Sequence, residues 1–264
     1  MGWTQVRHPT PIPMRTNKGV AKCDTLVQLL GVYKEGGGVL QARLSGEIGR
    51  KMMKSGTDGG LDAVYREIRG FRVYPSFVAP DVQVGMVEAL RVIVAAATLV
   101  QPVTPGGRQM SVRMTAAGRL GWVTDRKGYR YAPRHPSGVA WPDIPEAVLA
   151  VWRAVSGTTR APDCCLVNFY GVGARMGLHQ DRDEGDFSYP VVSISLGDEA
   201  LFRMGGLERA EGTESLWLRS GDVVVMGGDA RLAWHGIDRV RHRSSRLLAL
   251  GGRINLTLRV VEEG

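Results

Sequence analysis

Cys164-Cys165-Leu166-Val167-Asn168-Phe169-Tyr170 is a run of strand-forming residues, and Leu178-His179-Gln180-Asp181 follows it across a glycine-broken turn. From Pro162 onward the chain reads as one short strand after another. The expected strands are 164–170, 175–179, 190–197, 200–204, 215–218, 222–226, 231–234, 246–250 and 253–261, separated by Gly, Asp and Ser. Many short strands punctuated by turn residues predict a sandwich or a closed barrel.

Upstream the pattern is mixed. Phe71-Arg72-Val73-Tyr74 reads as a strand. Pro80-Asp81 is expected to cap a helix over about 81–99, where apolar residues recur at helical spacing. Pro102 to Gly107 breaks it, and short strands follow near 109–114 and 129–132. Asp143-Ile144-Pro145-Glu146 has the form of a capping box and predicts a helix to about Val155.

Two residues of this stretch have metal-ligand character. His179 and Asp181 are two apart, so on a strand both side chains share one face and can reach one ion. His235, far downstream, supplies a second imidazole. Two imidazoles and one carboxylate are the ligand set of a mononuclear non-haem Fe(II) site with open coordination positions. The last strand puts Arg253, Asn255, Thr257 and Arg259 on one face and Ile254, Leu256 and Leu258 on the other. Asn168 and Tyr170 repeat that spacing. A guanidinium pairs bidentately with a carboxylate, and Asn and Tyr add donors, so the combination suits a small dicarboxylate beside the metal.

Bulk composition sets the frame. Hydrophobic content of 44% and charged content of 23% are those of an ordinary globular protein. The three cysteines, two of them adjacent, make no disulfide framework and fit a reducing cytoplasm. The longest apolar run, Val92 to Val100, is too short for a bilayer span, which needs about 20 residues. The net charge of +8 is uneven: residues 1–70 hold 11 Lys+Arg against 6 Asp+Glu, leaving 23 against 20 for the rest. A basic chain attracts polyanions, but the excess on the larger part is small. Residues 1–70 read as a flexible basic extension, with short amphipathic stretches near 22–34 and 61–69 that could be helices. Gly46-Glu47-Ile48-Gly49-Arg50-Lys51 lacks the spacing of a phosphate loop.

Together Asn168-x-Tyr170, Leu178-His179-Gln180-Asp181-x-Asp183-Glu184, Val191-Val192-Ser193-Ile194-Ser195-Leu196-Gly197, Gly221-Asp222-Val223-Val224-Val225, His235-Gly236 and Arg253-x-Asn255-Leu256-Thr257-x-Arg259 resemble the AlkB family, closest to its bacterial type. These are Fe(II)- and 2-oxoglutarate-dependent dioxygenases that repair alkylated nucleic acid. The resemblance runs from about Thr104 to Arg259, with a weaker lead-in from Phe71. It implies a mainly β (α+β) domain over 71–264: a double-stranded β-helix, or jelly roll, with flanking helices. The jelly-roll core would span about 164–261 and a nucleotide-recognition lid about 104–135.

The resemblance also assigns roles. His179, Asp181 and His235 would hold the catalytic iron, and Asn168, Phe169, Tyr170, Arg253, Asn255, Thr257 and Arg259 the 2-oxoglutarate. Trp122, Tyr129 and Tyr131 would hold an extruded base, with Asp183, Arg209 and Met114 around the damaged nucleotide. The implied reaction is oxidative demethylation of 1-methyladenine or 3-methylcytosine in DNA, with RNA left open. It consumes O2 and yields succinate, CO2 and formaldehyde. A carboxylate near a cationic methylated base favours the damaged form over the neutral one. A monomer free of the membrane is expected. Two alternatives stay open at this point: an oxygenase of protein or small molecules, and a non-catalytic jelly-roll binding module. The arginine-rich stretch Arg239, Arg241, His242, Arg243 and Arg246 reads either as a solvated loop or as a phosphate-contacting one.

Overall fold

The computed structural model describes residues 64–262. The helix expected over 22–34, the Gly46–Lys51 stretch and nearly all of the basic extension lie outside the described residues. In chain order the elements are β1 (Arg66–Ile68), β2 (Phe71–Tyr74), α1 (Pro80–Ala96), β3 (Arg113–Gly118), β4 (Gly121–Asp125), β5 (Gly128–Ala132), α2 (Glu146–Val155), β6 (Cys164–Tyr170), β7 (Met176–His179), β8 (Val191–Gly197), β9 (Glu199–Met204), β10 (Glu214–Leu218), β11 (Val223–Met226), β12 (His235–Arg241) and β13 (Arg253–Arg259). A 3-10 turn spans Gly228–Ala230.

The strands make a seven-stranded sheet in the order β1-β2-β11-β8-β13-β6-β3, a four-stranded sheet β10-β9-β12-β7 and the hairpin β4-β5. All pairings are antiparallel. This is the mainly β architecture expected of a jelly roll. The larger sheet is buried on both faces, and the alternation of its side chains builds two cores. Val167 and Phe169 of β6, Ile194 of β8 and Ile254, Leu256 and Leu258 of β13 join Leu90 of α1 and Trp152 of α2 in the helix-side core. Leu166 and Tyr170 of β6 and Val224 of β11 join Phe202 and Met204 of β9 in the core facing the smaller sheet. A strand buried on both faces reads as a continuous apolar run, which is why β6, β8 and β11 are plain in the sequence.

Several expectations are corrected. Arg66–Ile68 pairs with β2 as a strand, so the helix expected over 61–69 does not run through these residues. The sheet therefore begins before the boundary read near Gly70. Helix α1 takes Ala79 as its N-cap with Pro80 in the first turn, and α2 takes Pro145; neither cap makes a side-chain bond, so Asp143 forms no capping box. Residues 231–234 and 246–250 form turns instead of strands. The stretch expected as a loop after His235 is strand β12, which holds Arg239 and Arg241. A β-bulge lies between Ile237 and Arg239 where β12 pairs with β9. At the start of the β8–β9 turn Gly197 has φ +87°, and a Cβ there would stand 2.5 Å from the carbonyl oxygen of Gly252, so only glycine fits.

Cys164 and Cys165 are wholly buried and unpaired. Burial pushes the Cys164 thiol up to about 12 and Cys165 higher still. Thiolate is the reactive form, so both thiols should stay unmodified by iodoacetamide near neutral pH in the native protein. Peptide mapping after labelling, with and without denaturant, checks this: both should label only once the protein is unfolded.

Candidate metal and dicarboxylate site

Strands β7 and β12 pair with His235 directly opposite His179. That register sets the two rings 4.5 Å apart. Asp181 lies just beyond the end of β7, with Oδ1 3.7 Å from His179 Nε2 and Oδ2 3.9 Å from His235 Nε2. One ligand atom from each of the three residues falls within 4.8 Å of the others. His179 Nδ1 lies 2.9 Å from the Gly177 carbonyl and His235 Nδ1 3.0 Å from that of Ala233. A carbonyl only accepts, so each Nδ1 carries the proton and each Nε2 keeps its lone pair free for a metal. Burial together with His179 pulls His235 down to about 4, so it is neutral at pH 7. Burial alone would raise Asp181, but Arg259, His235 and His179 hold it well below the usual carboxylate range.

Arg259 Nη2 and Nε donate to Asp181 Oδ2 at 2.8 and 3.2 Å, which leaves Oδ1 for another partner. Two imidazoles with Nε2 atoms turned toward one carboxylate, and open space around them, fit an Fe(II) ion. These groups line a cavity of about 440 Å³.

The second half of the cavity is built by β13 and β6. Arg253 is 1% exposed, donates from Nη2 to Ser195 Oγ at 3.0 Å and lies 5.1 Å from the Tyr170 ring. No carboxylate pairs with it among the described residues. Its Nε and Nη1, together with Arg259 Nη1 and Asn168 Oδ1, are buried without a hydrogen-bond partner. Buried polar groups are normally satisfied, and an unpaired buried guanidinium is costly. The unmet donors fit an anionic ligand with more than one oxygen, as a dicarboxylate has. Asn255 Nδ2 donates to Ser193 Oγ at 2.7 Å, and Thr257 Oγ1 to Asn255 Oδ1 at 3.0 Å, so these two order the cavity wall.

The β4–β5 hairpin forms a further part of the cavity wall. Trp122 and Tyr129 stack with centroids 5.4 Å apart and planes 17° from parallel. Trp122 Nε1 donates to Asp183 Oδ2 at 2.8 Å. Both rings line the cavity, as do Tyr131 and Met114.

Two sequence-expected residues are not brought in. Phe169 packs in the helix-side core because its neighbours Asn168 and Tyr170 take the cavity face. Arg209 is absent from the cavity wall; its guanidinium lies over the Trp234 ring at 5.1 Å.

Glu184 and Arg231 were missed. Arg231 Nη1 donates to the Asp181 carbonyl at 2.7 Å and Nη2 to Glu184 Oε2 at 3.0 Å. Glu184 also accepts from Tyr131 Oη and lies 3.3 Å from Arg259 Nε. Two buried arginines thus clamp the short loop 181–184, and Tyr131 ties the hairpin to it. In sequence Asp183-Glu184 looks like a solvated turn, and no motif marks Arg231.

Comparison with known proteins agrees with this geometry. The model of the 2OG-Fe(II) oxygenase superfamily matches residues 70–259. The chain is 52% identical over 193 residues to an alpha-ketoglutarate-dependent dioxygenase AlkB homolog of Caulobacter vibrioides, covering 73% of this chain and 88% of that one. It is 44% identical over 164 residues to the alpha-ketoglutarate-dependent dioxygenase AlkB of Escherichia coli K12, covering 60% and 76%. The solved structure of OsALKBH1 superposes with a TM-score of 0.64 at 29% identity, covering 75% of this chain and all of that one.

Removing one partner of a buried ion pair strands the other charge. Arg231→Met should therefore destabilise the protein by about 3–5 kcal/mol in urea unfolding. Adding Glu184→Gln should recover part of that loss.

Proposed function

The chain belongs to the AlkB family of the 2OG-Fe(II) oxygenase superfamily, and we propose from that premise that it removes N-alkyl groups from DNA bases of the 1-methyladenine and 3-methylcytosine type. It is an Fe(II)- and 2-oxoglutarate-dependent dioxygenase. The observation that carries the reading is a cavity holding both a three-residue metal cluster and buried cationic donors without partners.

His179, Asp181 and His235 would hold the iron through the two Nε2 atoms and Asp181 Oδ1. When bound, iron with O2 and 2-oxoglutarate supplies the oxidant that hydroxylates the alkyl carbon. The residues of this chain do the rest. Arg253 takes the far carboxylate of the dicarboxylate through its unmet Nε and Nη1, with Asn168 and Tyr170 beside it. Arg259 keeps Asp181 ionised and fixes which oxygen is free. Trp122 and Tyr129 offer an aromatic face to a base withdrawn from its stack, which returns about 1–3 kcal/mol against the cost of extrusion. Asp183 supplies the negative charge that prefers a cationic alkylated base to a neutral one. The hydroxymethyl adduct then releases formaldehyde and leaves the restored base.

The hairpin of β4 and β5, within the stretch 104–135, serves as the lid, and the catalytic domain takes in β1 from Arg66. DNA is the first substrate to test, with RNA beside it. No helix among the described residues is long and apolar enough to cross a membrane. We place the protein in the cytoplasm as a monomer, a setting that keeps Cys164 and Cys165 reduced.

Protein supplied with Fe(II), ascorbate and 2-oxoglutarate should release formaldehyde from an oligonucleotide carrying 3-methylcytosine. His179→Ala and Asp181→Ala should each abolish it. Equal release by wild type and variants removes the metal assignment; release only from methylated peptides replaces the substrate class.

A second prediction separates cosubstrate binding from folding. Arg253→Met removes a buried charge, so the unfolding temperature of the free protein should hold or rise. The stabilisation that added 2-oxoglutarate gives the wild type should disappear. A retained shift in thermal melts takes Arg253 out of the cosubstrate site.

A further inference from the structure

Beside the site cavity lies a second one of about 580 Å³. The two share a common wall that includes Thr104, Met110, Met176, Gly177, Gly236 and Ile237. The second cavity is lined by Arg108, Arg175 and Arg203. Arg203 is on the outward face of the smaller sheet. In that sheet the register puts Trp217, Leu201 and Arg239 in one row across β10, β9 and β12, and Ser215, Arg203 and Gly236 in the next. Arg241 stands opposite Glu199 in the row on the other side.

Trp217 holds the heads of the outer arginines. Arg241 lies 4.2 Å and Arg239 5.8 Å from its ring centre. Such contacts fix a guanidinium in place without neutralising it. Arg239 and Arg241 are exposed. Two carboxylates sit among these groups: Glu199 pairs with Arg241, and Asp238 lies 3.5 Å from Arg239. Arginines outnumber them along this face. Alternate residues of a strand are about 7 Å apart, so the cations form a line leading away from the site rather than one cluster.

We infer that this outward face, from Arg203 to Arg239 and Arg241, is a track for the phosphodiester backbone of the strand that carries the lesion. The inference rests on the proposed nucleic-acid substrate and extends it to the chain flanking the base. A strand leaving the site cavity enters the arginine-lined one, then crosses the sheet over Trp217. The partner is a phosphodiester chain because the face offers forked guanidinium donors in a row.

The test compares two substrates with the same 3-methylcytosine: a trinucleotide, too short to leave the site, and a single-stranded oligonucleotide of about fifteen nucleotides. With the triple variant Arg203→Gln/Arg239→Gln/Arg241→Gln, Kd for the longer strand should rise about tenfold near 150 mM salt. The slope of log Kd against log salt should fall by about 2, since each neutralised phosphate of a single strand contributes about 0.7. Trinucleotide turnover should be unchanged. Asp238→Asn should act in the opposite direction and tighten the longer strand, an outcome that damage to the fold cannot produce. Unchanged Kd and slope with intact turnover on both substrates overturn the track alone. A wild type that turns over neither substrate overturns the nucleic-acid reading and the track with it.

Discussion

The ion pair of Arg259 with Asp181 is the interaction on which the site depends. Both groups are buried, and each would be costly there alone. Paired, they bring the end of β13 against the loop after β7 and so join the larger sheet to the smaller one across the cavity. The pair also explains why a carboxylate in an apolar sandwich stays ionised. Arg231 repeats the device from the other side, with Glu184 as its counter-charge and the Asp181 carbonyl as its second acceptor. The loop 181–184 therefore has little freedom, although it lies outside any strand.

Arg253 is the contrasting case. It is as deeply buried as Arg259 but has hydroxyl, phenol and ring neighbours instead of a carboxylate. Its pKa is lowered by burial, yet a guanidinium remains charged at any ordinary pH. A fold that pairs one arginine with buried carboxylates and leaves another on the same strand without one has set aside the second for a ligand. Stability and binding are thus divided between two residues of one face.

The parts legible in the sequence follow from strict periodicity. β6 and β2 were read with their observed bounds because turn residues flank apolar runs, and Arg253, Asn255, Thr257 and Arg259 were read together because β13 keeps its alternation throughout. Phe169 was expected at the cosubstrate, but it stands between two cavity-facing residues and the same parity turns it into the helix-side core. Arg209 lies in a loop, where no period constrains direction. Leu232, Ala233 and Trp234 are apolar but follow the Gly228–Ala230 turn, so the stretch 231–234 imitates a strand without pairing as one. Glu184 was hidden because a buried carboxylate needs a distant arginine to explain it, and sequence distance conceals that partner.

Strand β12 escaped notice for a reason that has its own consequence. His235 and Ile237 face inward, and plain alternation would send Arg239 and Arg241 inward after them. The bulge at Asp238 inserts one residue and reverses the phase, so Val240 turns in and both arginines turn out. One strand can then hold a metal-cluster histidine inside and cations outside. Loss of the Asp238 codon alone would make the pairing regular and leave Ile237 and Val240 inward and both arginines outward. Plain pairing that kept Asp238 in the ladder would instead turn two guanidinium groups into the apolar core. The offset that the bulge supplies, more than the residue that fills it, is what this segment must preserve.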